Sequence, residues 1–266
     1  MAQIQRIMIN TFFRPDGLAV IELDDPRGVN AIDAEVALEL ADAVQSVERA
    51  EGVRVVLLRS TGKCFGVGGN VSWFDVEKPG LEQRIGDTLS AIGRAIEGLR
   101  SMPAVVVAAV HGAVAGGSLG LMFAADLVIA HSETRFSLAY AKIGATPDAG
   151  TSYFLTRGLG ERRALELLLL SDGFDAERAR ELGLVNFVAE GEAFESASDA
   201  LVQRLLAGPQ EAFRSAKRLV RSASESELSD HMQKEARAFV EISQSADFIE
   251  GVRAFLAKRP PKFSNQ

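Results

Sequence analysis

The stretch from Ala104 to Asp126, AVVVAAVHGAVAGGSLGLMFAAD, constrains the fold more than any other part of this chain. The run AVVVAAV, small and β-branched throughout, suits a strand buried on both faces. It empties into a loop carrying Gly112, Gly116, Gly117 and Gly120, followed by an apolar helical segment. Glycine lets backbone N–H groups come close to a bound atom, and a following helix aims its positive end at the same point. Strand, glycine loop and helix in this order make a site for an oxygen that acquires negative charge.

The flanking sequence places this element in an alternating α/β pattern. Residues 4–13 and 18–23 read as two strands joined by the turn Arg14-Pro15-Asp16-Gly17. Val36, Leu40, Ala43, Val44 and Val47 recur at helical spacing within 33–50, and Gly52 stops that helix ahead of the strand VRVVLLRS. A second helix spans 81–99 and breaks at Met102-Pro103; a helix through Phe123 and a strand over 127–130 follow the glycine loop. Such alternation implies sheets covered by helices. From about Glu161 the chain becomes mainly helical, which suggests an α/β core over 1–195 and a helical region over 196–266.

Bulk properties exclude several classes. A chain of 266 residues buries about 70–75% of the surface its unfolded form exposes, enough to need no disulfide or metal staple. The net charge of −7 argues against general nucleic-acid binding. Cys64 is the only cysteine and cannot form an intrachain disulfide, which fits a reducing compartment. His111, His131 and His231 lie far apart and outside any metal-ligand spacing, so no metal is expected. MAQIQRIMINTFF lacks the basic start and apolar run of a signal peptide, and no run of about 18 apolar residues is available to cross a bilayer. The expectation is a cytoplasmic protein with no membrane partner.

The sequence resembles the crotonase (enoyl-CoA hydratase/isomerase) superfamily. The landmarks are Asn30-Ala31 before the first helix, CFGVGGN at 64–70, HGAVAGGSLGLMFAADLVIA at 111–130, FSLAYAKIGATPDAGTSYFLTRGLG at 136–160, ARELGLVNFV at 179–188 and the closing DFIEGVRAFLAKRPPKF. They occur in order across nearly the whole chain. The resemblance implies an α/β crotonase-like spiral of ββα turns forming two roughly perpendicular sheets, with a C-terminal helical region that builds homotrimers or dimers of trimers. It implies an acyl-coenzyme A thioester as substrate and no separate cofactor, coenzyme A being part of the substrate. By motif position, the peptide N–H groups of Gly69 and Gly117 would hold the thioester oxygen. Val29, Ala31, Phe65, Gly66 and Val67 would contact the coenzyme A moiety through their backbone, and Phe255 and Lys258 would reach its adenine and phosphate region, from a neighbouring subunit if not their own. Trp73 and Tyr140 are candidates for the acyl pocket.

One departure bears on the reaction. Hydratases of this family use two glutamates, and the corresponding positions here are Gly120 and Tyr140. Neither is a carboxylate base, so two-glutamate hydration is not expected. Asp148 in TPDAG matches the acid/base of the enoyl-CoA isomerase branch and of the ring-opening isomerase of phenylacetate breakdown. A single carboxylate can remove a proton at C2 and return it at C4 while an oxyanion hole stabilises the intermediate dienolate. In an apolar pocket its pKa rises by desolvation. An aspartate beside a proline and ahead of AGTSYFLTRGL also suits a helix N-terminus, so a capping role stands beside the catalytic one.

The same segment resembles 4-chlorobenzoyl-CoA dehalogenase, whose aspartate attacks as a nucleophile. That branch adds a tryptophan, aligned with Tyr140, and a histidine, aligned near Gly93, and this chain has neither residue at those positions. A third reading is a coenzyme A thioester binder without catalysis. GGSLG at 116–120 satisfies the nucleophile-elbow pattern around Ser118, yet HGAVA separates it from the preceding strand.

Overall fold

The computed structural model describes residues 8–170 and 172–263; residues 4–7 of the first expected strand lie outside them. The elements are β1 (Ile9–Phe13), β2 (Leu18–Leu23), β3 (Ala31–Ile32), α1 (Ala34–Arg49), β4 (Val55–Ser60), β5 (Gly68–Gly69), α2 (Leu81–Ser101), β6 (Val105–Val110), β7 (Ala113–Ala115), α3 (Gly117–Ala124), β8 (Leu127–His131) and β9 (Arg135–Ser137). They continue with α4 (Thr151–Leu159), α5 (Glu161–Leu170), β10 (Phe174–Asp175), α6 (Ala176–Glu181), β11 (Phe187–Ala189), α7 (Ala193–Leu206), α8 (Gln210–Ala223), α9 (Leu228–Ile242) and α10 (Ala246–Leu256). Short 3₁₀ turns occupy Val71–Phe74 and Tyr140–Ile143.

A long strand, a short strand and a helix recur in sequence: β2–β3–α1, β4–β5–α2, β6–β7–α3, then β8–β9 leading to α4. The long strands form a six-stranded sheet in the order β1-β2-β4-β6-β8-β11. Only the β1–β2 pair is antiparallel; the other pairs run parallel, as crossover helices require. The short strands pair separately, β3 with β5 and β10-β9-β7 in a row. This is the ββα spiral of the crotonase fold.

Strand alternation explains why the long strands read as unbroken apolar runs. Ile21, Val56, Leu58, Val106, Ala108, Val110 and Val128 point to one face, where α1, α2 and α3 bury their apolar stripes. Val20, Val55, Leu57, Val107, Ala109 and Ile129 point to the other, where Phe194, Val202 and Leu206 of α7 cover them. Both faces are dry, so neither carries the polar alternation of a half-exposed strand. α7 spans position 195 and packs directly on the sheet.

Helix boundaries follow local chemistry. Asp33 accepts the Val36 N–H at 3.2 Å and caps α1. The buried residues of α1 include all five apolar positions expected from the spacing. α2 ends at Ser101, ahead of Met102-Pro103 and slightly beyond the expected stop.

Asp126, at the turn between α3 and β8, accepts the Val106 N–H at 2.8 Å and pairs with Lys217 and Arg221 of α8. Lys217 also donates to the Ala104 carbonyl at 2.7 Å. This cluster pins α8 to the end of β6. No helix among the described residues is long and apolar enough to cross a membrane.

Candidate active site

The glycine loops meet where β5 and α3 begin. Gly68 has φ +82°, and a Cβ there would stand 2.6 Å from the Ala115 carbonyl oxygen. Glycine is therefore required for the two loops to touch. The buried Ser118 fastens them: its Oγ accepts the Gly68 N–H at 3.1 Å. That contact gives Ser118 a positioning role, and its hydroxyl does not line the cavity. Asn30, buried at φ +48°, donates to the carbonyls of Thr61 and Cys64 and accepts the Asp25 N–H, tying the β3 turn to the other loop.

In front of these loops lies a cavity of about 630 Å³, lined by Gly69, Gly117, Asp148 and Tyr140 at one end. Trp73 and Phe74 form one wall, and Ile85, Thr88, Leu89 and Ile92 of α2 line another part. Among the lining residues Asp148 and Tyr140 are the titratable ones, and no histidine is present. Gly117 is the first residue of α3, so its N–H has no helical carbonyl partner and the helix dipole points outward there. A methyl group at Gly117 would stand 3.4 Å from Asp148 Oδ1, which places the carboxylate beside the oxyanion end. A larger groove of about 1110 Å³ lies between the end of α2 and helices α8 and α9, away from both glycine loops.

Asp148 does not cap α4. The N-cap is Gly150, with no side-chain bond to the helix. The Asp148 backbone carbonyl accepts the Thr151 N–H at 2.8 Å. Its carboxylate instead accepts the Tyr140 hydroxyl at 2.8 Å. Tyr140 Oη also lies 3.1 Å from Thr151 Oγ1. With the tyrosine proton committed to Asp148, the Thr151 hydroxyl is the donor in that second bond. The chain Thr151→Tyr140→Asp148 thus ends on one carboxylate oxygen.

Desolvation raises the Asp148 pKa above the ordinary carboxylate value and outweighs the Tyr140 hydrogen bond, which lowers it. Burial, and secondarily the Asp148 charge, push the Tyr140 hydroxyl well upward, so it remains a proton donor. Backbone strain fixes the carboxylate: Ala149 and Gly150 both have positive φ, +48° and +72°. For a non-glycine residue such as Ala149 this costs on the order of 1–3 kcal/mol.

That turn also accounts for Gly120. A Cβ at Gly120 would run into the Ala149 carbonyl oxygen and stand 2.7 Å from the Ala149 Cβ. The position of the first family glutamate has no room for any side chain.

The structure brings together Gly69, Gly117, Asp148, Val67, Trp73 and Tyr140 of the expected site. Val29, Ala31, Phe65 and Gly66 are not among the residues that line the cavity. The Phe65 side chain is fully buried in the core. The N–H groups of Phe65, Gly66 and Val67 are bonded to the carbonyls of His111, Ala113 and Val29. Within this single chain Phe255 and Lys258 do not reach the cavity; Phe255 is exposed on α10, and Lys258 lies just beyond that helix. Thr151 and Arg84 were not expected. The i to i+3 spacing from Asp148 is the only sequence signal for Thr151, and a helix start accounts for it equally well.

The profile of the enoyl-CoA hydratase/isomerase family matches residues 14–266. A Rhodobacter capsulatus protein named "Probable enoyl-CoA hydratase" is 36% identical over 252 residues, covering 94% of this chain and 96% of its own. The 1,2-epoxyphenylacetyl-CoA isomerase of Escherichia coli is 30% identical over 251 residues, covering 94% and 96%. Among solved structures, an enoyl-CoA hydratase from Polaromonas sp. JS666 superposes with a TM-score of 0.88 at 30% identity, covering 96% of this chain and 99% of that one. The chain belongs to the enoyl-CoA hydratase/isomerase family, an enzymatic family acting on acyl-CoA thioesters. Its relatives include both hydratases and isomerases.

Proposed function

We propose that this protein is an acyl-CoA isomerase that moves a double bond from C3 to C2 of an enoyl-CoA, with Asp148 as the proton shuttle. The observation that carries the reading is the desolvated Asp148 carboxylate, hydrogen-bonded to Tyr140 and set beside Gly117 in the cavity. Of the two family glutamate positions, one has no space for a side chain and the other supplies a proton donor rather than a base.

In the proposed reaction the thioester oxygen sits between the Gly69 and Gly117 N–H groups. Tyr140 donates to Asp148 Oδ1, and the Asp148 carboxylate accepts the C2 proton. The C2–H electron pair moves into a dienolate whose negative charge rests on the thioester oxygen. Asp148 then returns the proton at C4, giving the conjugated 2-enoyl thioester. Two aligned donors are each worth about 2.7–4 kcal/mol in comparable acyl sites. The raised pKa of Asp148 brings its basicity closer to what a shuttle needs near neutral pH. No electrons leave the substrate and no water is added, so the scheme uses no cofactor.

The test is turnover of a 3-enoyl-CoA by wild type and by Asp148→Asn, followed by ultraviolet absorbance of the conjugated product. Isomerisation by wild type with a loss of at least about a hundredfold in the variant supports the shuttle, since general acid–base groups contribute about 10²–10⁴. Equal rates would remove Asp148 from the chemistry. Accumulation of a covalent aryl- or acyl-enzyme would instead favour nucleophilic attack by Asp148.

A further inference from the structure

The aromatic wall of the cavity is held in place by a residue outside it. Trp73 and Phe74 sit on the 3₁₀ turn Val71–Phe74, within a strap that runs on to Gly80 and the start of α2. At its entrance the strap is anchored by the Asn70 N–H to the Ile32 carbonyl at 2.8 Å. Beyond that point, among the described residues, most of its bonds are local. Trp73 N–H bonds Asn70 O, Ser72 Oγ bonds Asn70 Oδ1, Lys78 N–H bonds Asp75 O, and Lys78 pairs with Asp75. Local bonds shape a turn but do not fix its distance from α2.

Arg84 supplies that distance. Its guanidinium projects from the first turns of α2, donating from Nη1 to the Pro79 carbonyl at 2.7 Å and from Nη2 to the Phe74 carbonyl at 3.1 Å. A weaker contact reaches the Asp75 carbonyl at 3.4 Å. The same group lies 6.0 Å from the centre of the Trp73 ring. On α2, the next residue, Ile85, is followed at helical spacing by Leu89 and Ile92, and these line the same cavity. One planar side chain therefore joins α2 to the strap through carbonyls spaced along it, a task suited to a rigid fork of donors and not to a single ammonium. Arg84 also bonds carbonyls at both ends of the Phe74–Pro79 stretch, so the strap cannot swing from α2 without breaking all of these contacts together.

We propose that Arg84 is a specificity-determining residue: by clamping the Trp73–Phe74 strap to α2 it fixes the aromatic rings beside Gly69, where a Cβ would stand 3.7 Å from Phe74 Cζ, and so limits the size of acyl group accepted. This rests on the reading of the cavity as the acyl-CoA site, but not on which reaction follows binding. Arg84 touches no reacting atom and acts by positioning the two aromatic rings.

Trp73 is the only tryptophan in the chain, so its emission reports the strap directly. The experiment compares wild type, Arg84→Ala and Arg84→Lys in two readouts. The first is acrylamide quenching of Trp73 in the ligand-free protein, with far-ultraviolet circular dichroism confirming that the fold persists. The second is the ratio of dissociation constants for butyryl-CoA and dodecanoyl-CoA, measured by calorimetry. The expected result is a quenching constant raised at least twofold in both variants, with affinity shifted toward dodecanoyl-CoA by at least tenfold relative to butyryl-CoA. Unchanged quenching in Arg84→Ala overturns the clamp. Raised quenching with an unchanged affinity ratio overturns its role in specificity. Full recovery of both readouts by Arg84→Lys overturns the requirement for the fork. If wild type binds neither thioester, the reading of the cavity fails, and the quenching comparison still decides whether the clamp exists.

Discussion

Replacing Tyr140 with phenylalanine removes one hydroxyl and leaves the ring in place, which isolates the bond to Asp148. In the native protein that bond, 2.8 Å long, stabilises the ionised carboxylate against the desolvation that raises its pKa. A hydrogen bond to a charged group is worth about 1.5–3 kcal/mol. Asp148 is only partly buried, so the lower end of that range applies. Loss of that bond leaves the desolvation unopposed, and the Asp148 pKa in Tyr140→Phe should therefore rise further. The base works as the carboxylate, so activity falls as pH drops through its pKa. The acid limb of the kcat/KM profile for a 3-enoyl-CoA should then move toward higher pH, with a plateau within about tenfold of wild type. Tyr140 itself, pushed up by burial, adds no alkaline limb near neutrality. An unmoved limb, or one shifted to lower pH, would refute the argument. Loss of activity at every pH would show that the tyrosine hydroxyl acts on the substrate directly.

Three further outcomes follow from the same geometry. Because the folded-state pKa of Asp148 is raised, its contribution to stability is full below the unfolded value and is lost as pH rises through the folded value. Asp148→Asn should melt above wild type near neutral pH, and the gap should close in acid; a lower melting temperature at neutral pH contradicts this. Gly120→Ala should lose about 1–3 kcal/mol in urea unfolding, because the new methyl meets the Ala149 carbonyl, and Gly120→Glu should gain no hydratase activity; an unaffected midpoint would show that the turn yields freely. Asp126→Asn should lose about 3–5 kcal/mol, since Lys217 and Arg221 are left facing a neutral amide; a loss below about 1 kcal/mol would mean the cluster does not pin α8.

The long strands and helices were legible because their signals extend over many residues. VRVVLLRS and AVVVAAV announced central strands, and the 3.6-residue stripe of α1 announced both its extent and its buried face. The short strands were not legible. β3, β5 and β10 are two residues long, and β7, buried in HGAVA, is three; a period of two cannot register over so short a span. Their pairing is set by the loops they join.

The site divides in the same way. Gly69, Gly117 and Asp148 stand in motifs whose order survives in the chain, and the replacement of both glutamate positions could be read from single residues. What those replacements do could not. That Gly120 is sterically obligatory depends on a positive φ at Ala149, and that Tyr140 serves Asp148 depends on a turn that brings the hydroxyl to 2.8 Å. Arg84 had no signal at all, since its partners are backbone carbonyls that carry no residue identity.

The central claim is that this site moves a proton within the substrate and does not add water. The most direct measurement offers purified wild type a 3-enoyl-CoA and, separately, the corresponding 2-enoyl-CoA, with products identified by mass spectrometry. The account predicts an isobaric, conjugated product from the first and no water adduct from the second. A 3-hydroxyacyl-CoA formed from the 2-enoyl-CoA as fast as any isomerisation would contradict it.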